Sequence, residues 1–274
     1  MRSPTQLHPD WLIPDWPAPD RVRALCSTRA GGRSRPPYDS LNLGAHVGDD
    51  PQAVQANRQL LQGAMTARPV FLHQVHGSAG LTLAQAMPDG RSADAGVSAE
   101  PGLACAVLVA DCLPLLLCSS SGAVVGAAHA GWRGLAGDGA AGVIEATLER
   151  LVGDGHACRA WSGAQPVAEQ ILVWLGPCIG AQAFEVGADV VDAFVSQDAG
   201  AARLFQRSVG HKWLADLQGL ARRRLRAWGV SRIYGNDGGA GWCTFSNPSR
   251  FFSHRRDQVR LGGSGRMAAC VWID

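Results

Sequence analysis

The sequence lacks the features that mark a membrane, secreted or nucleic-acid-binding chain. Its longest apolar stretch, Leu113 to Cys118 with its neighbours, is interrupted by Asp111 and Pro114. That is far short of the roughly 20 residues a bilayer-spanning helix needs. The opening segment, Met1 to Pro19, is polar and proline-studded, without the apolar core of a signal peptide. Neither sign of charge is in excess: 25 Lys and Arg face 23 Asp and Glu, a formal net of +2. The basic clusters Arg222-Arg223-Arg224 and Arg255-Arg256 are short and separate, so neither predicts a nucleic-acid face. Arg222 to Arg226 reads instead as the solvated side of a helix. Eight cysteines are present, yet none forms a C-x-x-C pair. Scattered cysteines in apolar surroundings read as reduced core residues, so a cytoplasmic protein without a membrane or nucleic-acid partner is expected.

What is present suffices for a sizeable core. With 274 residues, 46% of them hydrophobic, the chain is expected to form one domain over residues 1–274. Residues 1–20, with Pro14, Pro17 and Pro19, read as an extended N-terminal arm laid on the body. Leu103 to Val109, Leu113 to Cys118 and Ala123 to Ala128 are continuous apolar runs, as in strands covered on both faces. Ile171 to Leu175, Arg232 to Tyr234 and Ala268 to Ile273 read as further strands. Helices are predicted over Asp138 to Val152, Ala188 to Val195 and Leu214 to Trp228, the last stopped by Gly229. The expected class is therefore mixed α/β (α+β), with mixed β-sheets flanked by helices rather than a plain doubly wound fold.

Common catalytic motifs are missing: H-E-x-x-H, Walker A, G-x-S-x-G and the H-x-E…P-C-x-x-C of zinc deaminases. Gly137 to Gly142 matches G-x-G-x-x-G, but the preceding strand ends too early and no acidic residue follows in the right place. Three other segments place polar, metal-competent residues where a core would not want them. They are His73-Gln-Val-His76, Ala110-Asp111-Cys112-Leu-Pro114 and His129-Ala-Gly131-Trp-Arg133-Gly134. Each residue alone has a plain structural reading: a hydrogen-bonded loop histidine, a small core cysteine, a satisfied strand-edge imidazole. Together, His76, Cys112 and His129 offer a thiolate and two imidazoles, a three-ligand zinc set with one open position. Asp111 either orients an imidazole, acts as a base, or caps a turn.

These segments belong to a longer series of motifs. It includes Ser27-Thr-Arg29-Ala-Gly-Gly32, Tyr38-Asp-Ser-Leu-Asn42-Leu-Gly44, Gln74-Val-His76-Gly77, Gly176-Pro-Cys-Ile-Gly180, Phe184-Glu-Val-Gly187, Cys243-Thr244, Phe251 to Asp257 and Gly265-Arg-Met-Ala268. In this order, and nearly end to end, the sequence resembles the laccase-domain or YfiH-type family, also called multicopper polyphenol oxidases. The resemblance implies a YfiH-type fold and metal ligands at His76, Cys112 and His129. It also implies phosphorolysis of purine nucleosides and methylthioadenosine, adenosine deamination and, for some bacterial members, a part in keeping peptidoglycan precursors correct. Two departures, the glycine-rich stretch Gly235 to Gly241 and Leu261 to Ser264 before Gly265-Arg266, are expected to reshape a pocket edge at most. His73 is not required by the family pattern and is left out of the site.

One functional class leads, with a copper-dependent polyphenol oxidase (laccase), a cysteine hydrolase and a non-catalytic binding protein as alternatives. A zinc-dependent nucleoside enzyme would take a purine nucleoside and phosphate as partners. Asp111, Cys112 and His129 would then be its catalytic residues, and Arg29, Asn42 and Arg133 its phosphate or ribose contacts. A copper-dependent oxidase is disfavoured, because multicopper sites need many imidazoles in close pairs and no H-x-H occurs. A cysteine hydrolase with Cys112 as nucleophile and His129 as base is the alternative if zinc is absent. Arg133, placed in a glycine-rich loop before the predicted Asp138 to Val152 helix, is expected to complete an anion cradle.

Overall fold

The structure, a computed structural model, describes residues 7–139, 141–153, 161 and 166–274. In chain order its elements are β1 (Val22–Cys26), α1 (Pro51–Gly63), β2 (Arg68–Phe71), β3 (Gly80–Thr82), β4 (Ala95–Ser98), β5 (Leu103–Val109) and β6 (Leu113–Ser119). There follow β7 (Val125–Ala130), α2 (Trp132–Ala136), α3 (Val143–Gly153), β8 (Ile171–Leu175), β9 (Glu185–Val186) and α4 (Ala188–Val195). The chain ends with β10 (Phe205–Arg207), β11 (Trp213–Ala215), α5 (Leu217–Ala227), β12 (Arg232–Gly235), α6 (His254–Leu261) and β13 (Met267–Ile273).

Side-chain alternation divides each apolar run between two cores. In β5, Leu103, Cys105 and Val107 join one buried cluster while Ala104, Ala106 and Leu108 join another. In β6, Leu116 and Cys118 enter the same cluster as Leu103, whereas Leu113, Leu115 and Leu117 face the other way. The shared cluster lies between two sheets. One has the order β1-β13-β5-β2, the other β12-β8-β6-β7-β4-β3, and a small β10-β11-β9 sheet stands apart from both. The outer face of the six-stranded sheet is covered by residues of α2, α3, α4 and α5, and that of the four-stranded sheet by α1 and neighbouring loops. Covering both faces is why β5, β6 and β7 are buried at every position. Each fully buried leucine or valine there contributes about 1.5–3 kcal/mol of transfer free energy. Pairing is mixed: β6 runs antiparallel to both β7 and β8, whereas β2–β5, β3–β4 and β12–β8 are parallel.

Several predicted boundaries move, and the two largest shifts, at helix starts, have local reasons. The helix read from Leu214 begins at Leu217, because Trp213–Ala215 pairs with two strands and Asp216 caps the helix through Gly219 N–H (2.9 Å). The helix read from Asp138 begins at Val143, where the Glu145 carboxylate accepts from Gly142 N–H (2.9 Å) and reinforces the start. The glycine run before it makes a tight turn: a Cβ on Gly137 would meet the Ala141 carbonyl at 2.3 Å. The stretch from Gly131 to Gly134, read as loop, instead starts a short helix, with Gly131 as its N-cap and Gly134 inside it. Strand β7 extends to Ala130, so His129 lies inside it. Of the predicted arm, residues 1–6 lie outside the described residues. Farther along it Trp11 is buried and Leu12 bridges Cys26. Cys158 also lies outside the described residues, while the other seven cysteines are free thiols.

Candidate metal centre and its cavity

Three stretches distant in sequence meet where β4, β6 and β7 lie side by side. His129 sits in β7 opposite Pro114 of β6, and its backbone N–H donates to the Asp94 carbonyl just before β4 (2.7 Å). Cys112 lies in the connection between β5 and β6, beside Asp111, whose φ of 86° is left-handed. His76 follows β2 and is also left-handed, at φ 60°. Non-glycine residues in this region cost of order 1–3 kcal/mol each and persist where their surroundings fix them. The ligand atoms of His76, Cys112 and His129 lie within 4.8 Å of one another. The two imidazoles meet edge to face, centroids 4.8 Å apart. Gly131 backs them closely, since a Cβ there would come 3.0 Å from the His76 ring and 3.1 Å from Cys112 Sγ.

One carboxylate organises this junction, and the sequence did not single it out. Asp94 is fully buried, and its Oδ1 lies 2.8 Å from His129 Nδ1. It also accepts from the backbone N–H groups of Val75 (3.2 Å), His76 (3.0 Å) and Gly77 (2.8 Å). Burial works against its charge, but the His129 bond and these amides hold it below the ordinary carboxylate range. Because His129 Nδ1 is engaged, its Nε2 is the nitrogen left for a ligand. Asp94 therefore fixes the ring of one donor and the loop of another. The only hint in the sequence is a lone acid at the start of the apolar run Ala95–Ser98.

Burial opposes the Cys112 thiolate as well. The His129 charge and hydrogen bonds from His129 and His76 outweigh it and bring the thiol down to about 6. Conversely, burial lowers His129, but the Cys112 and Asp94 charges and hydrogen bonds raise it to about 9. Without a metal the pair is a thiolate facing an imidazolium; a metal ion would displace that proton. A thiolate, two imidazoles and a fixed tautomer suit a tetrahedral zinc ion with one open position.

The donors border a cavity of about 310 Å³. Its apolar walls include Leu108, Trp132, Ile179 and Phe184, and its charged lining is Asp111, Arg133, Arg255 and Arg266. Asp111 does not reach a ligand imidazole: Oδ1 accepts from Thr244 Oγ1 (2.6 Å) and Oδ2 from Arg255 N–H (2.7 Å). Among the three readings of this acid, the turn-capping one matches its observed partners. Arg133 is exposed at the cavity, its guanidinium 4.4 Å from the Trp132 ring centroid, and it forms no ion pair among the described residues. It lies within the short helix α2 and not at the start of α3, which corrects the geometry expected for an anion cradle.

Arg29 and Asn42 do not line this cavity. Arg29 ties loops together through the carbonyls of Asp39 (2.9 Å) and Pro248 (2.8 Å) and lies over the Phe252 ring. Asn42 is fully buried; its side chain donates to Gly44 O and Asp49 Oδ2 and accepts from Gly44 and Arg266 N–H. Both are braces here. The Gly235 to Gly241 stretch does not line the cavity either, and Asn236 anchors it by donating to the Gly176 carbonyl (2.9 Å). His46, His254 and Arg266 do line it, though nothing in their local sequence marks them as cavity residues. No helix among the described residues is long and apolar enough to cross a membrane.

Fold and site together define a mixed α/β protein with a candidate His/Cys/His metal centre at a cationic cavity. The family described as multi-copper polyphenol oxidoreductase laccase matches residues 23–274, and the chain belongs to this laccase-like, YfiH-type family. A protein of Pseudomonas aeruginosa named purine nucleoside phosphorylase is 49% identical, covering 96% of this chain and 98% of its own. Purine nucleoside phosphorylase YfiH of Escherichia coli is 47% identical over 96% and 98%. Among solved structures, a Neisseria meningitidis protein superposes with TM-score 0.81 at 41% identity, covering 97% and 99%. YlmD from Geobacillus stearothermophilus follows the same fold, with TM-score 0.80 at 30% identity over 98% of each chain.

Proposed function

We propose that the protein is a zinc-dependent purine nucleoside phosphorylase, acting on adenosine, inosine, guanosine and methylthioadenosine, that also deaminates adenosine in the same cavity. The observation that carries this reading is a three-donor thiolate–imidazole set opening onto a cavity with apolar walls and mostly cationic charge. The names of full-length relatives from P. aeruginosa and E. coli support it. His76, Cys112 and His129 would hold the ion, which when bound supplies a Lewis acid with an open coordination position. Trp132, Phe184, Leu108 and Ile179 offer flat and aliphatic walls for a purine ring. The arginines match the charge of phosphate. In phosphorolysis a phosphate oxygen bonds to the ribose anomeric carbon, the glycosidic C–N bond breaks, and the purine leaves with the electron pair and takes up a proton. The chain's share is to hold phosphate and nucleoside in line and to keep water out. In deamination water instead adds at C6 of the adenine, the exocyclic C–N bond breaks and ammonia leaves, giving inosine; an ion held by three donors would supply an open position for that water.

An oxidase built on several coppers finds less support, since this is the one such group of three donors among the described residues. A cysteine hydrolase draws support from the succession Cys112, His129, Asp94, but it leaves the third donor, His76, without a role. Metal analysis of the purified protein, run beside incubation with inosine and phosphate, tests the proposal. About one zinc per chain and release of hypoxanthine with ribose 1-phosphate are expected. Bound zinc with no change in any purine nucleoside would overturn it.

A further inference from the structure

We propose that Arg266, flanked by His46 and His254, seats the phosphate dianion within this cavity. The inference rests on the phosphorolysis reading and names the residue that would recognise its second substrate. Three arginines border the cavity. Two belong to its rim: Arg133 is exposed on Trp132, and exposed Arg255 donates Nη1 to the Glu185 carbonyl (2.9 Å). Arg266 is the partly buried one. Its Nη1 donates to the carbonyls of Ser264 (2.9 Å) and Gly265 (3.1 Å). No carboxylate pairs with it among the described residues, and Nε and Nη2 have no acceptor there. The Cys112 and Asp111 charges act on this guanidinium without a hydrogen bond to it, so its free N–H groups are poised to take up an anion from the cavity, and its planar fork suits phosphate.

The fold holds this arginine in place. Asn42 Oδ1 accepts from Arg266 N–H (2.8 Å), and the Arg266 carbonyl accepts from Leu43 N–H (3.0 Å). Gly44 gives the side chain room, because a Cβ there would come 2.8 Å from Arg266 Cγ. The motif Asn42-Leu-Gly44 is thus a mount for Arg266 and not itself a substrate contact. His46 and His254 line the same space, and both are held below the ordinary imidazole range, by burial first and then by the Arg266 charge. A neutral imidazole still offers one N–H to an anion. The only acidic lining residue among the described residues, Asp111, already has both oxygens engaged.

The test measures inorganic phosphate binding to the zinc-loaded protein by calorimetry, together with KM for phosphate and for inosine. Arg266→Gln should weaken phosphate in both measurements by about 10- to 100-fold, the loss expected for a charge-assisted pair. KM for inosine and zinc content should stay within about 3-fold. Arg266→Lys should recover only part, because the charge returns without the fork. If Arg266→Gln does not fold, His254→Ala is the second variant, expected to weaken phosphate by about 3- to 10-fold. Arg133→Gln should carry the smaller loss; an equal or larger one would overturn the assignment. Inosine 5′-monophosphate separates free phosphate from a nucleotide's phosphoryl group. If it displaces phosphate and binds more tightly through Arg266, the site serves a nucleotide and the proposal fails. Phosphate bound through Arg266 without cleavage of any nucleoside would uphold the anion seat and sink the phosphorolysis reading.

Discussion

Cys26 and Cys118 in the sheet core and Cys112 at the cavity are the same side chain in opposite chemical states. Burial with no charged partner of consequence pushes Cys26 and Cys118 up to about 12, and raises Cys105 and Cys270 as well. Burial opposes the Cys112 thiolate too, yet two imidazoles bring it down to about 6. Partners, and not exposure alone, decide which thiol is a ligand and which is packing. Asp94 carries the same lesson: a fully buried acid stays ionised because four donors surround it.

The largest effect that would sharpen this contrast is in thiol reactivity. In metal-free, native protein at pH 7, Cys112 should be largely thiolate and Cys26 almost wholly thiol. Brief iodoacetamide treatment with peptide mapping should label Cys112, and labelling should fade as pH falls through about 6, where the thiolate gains its proton. Comparable native-state labelling of Cys26 or Cys118 would break the comparison. Next in size, Cys112→Ala should lose most bound zinc, leaving two imidazoles that cannot hold it after desalting. Normal zinc content in that variant, read by elemental analysis, would remove Cys112 from the ligand set.

Asp94→Asn should weaken zinc by about 10- to 100-fold in a chelator competition, because the amide keeps one acceptor oxygen of two and its N–H₂ must face either His129 Nδ1 and His76 N–H or the Val75 and Gly77 N–H groups. Unchanged affinity would show that the sheet alone fixes His129. Smallest of the set, Gly131→Ala should lower zinc affinity by about 2- to 5-fold, since a methyl presses on both His76 and Cys112. A wild-type value there would mean that the donors shift without cost.

The fold class was legible because period-2 and 3.6-residue patterns are local. Ile171–Leu175 and Ala188–Val195 have the predicted bounds, and the long apolar runs are strands covered on both faces. Leu214 misled because an apolar residue before a capped helix fits strand and helix equally, and only pairing to β9 and β10 decides. The three candidate donors were legible as chemistry out of place in apolar surroundings. Asp94, His46, His254 and Arg266 were not, because each acquires its role from residues far along the chain. Arg29 and Asn42, expected as phosphate or ribose contacts, do not line the cavity and hold loops instead, because a motif fixes a residue's identity and not the direction its side chain faces.

The setting of His129 also divides the molecule by rate of motion. Its strand is hydrogen-bonded on both sides, by β4 and by β6, so the ring cannot leave its place unless the centre of the six-stranded sheet opens. Amide exchange there should approach the timescale of global unfolding. The exposed side chains of Arg133 and Arg255 at the rim are held only by a ring contact and, for Arg255, one carbonyl, so they are expected to change rotamer far faster. Any widening of the cavity mouth is therefore expected at the rim side chains, above a floor that the sheet holds in place.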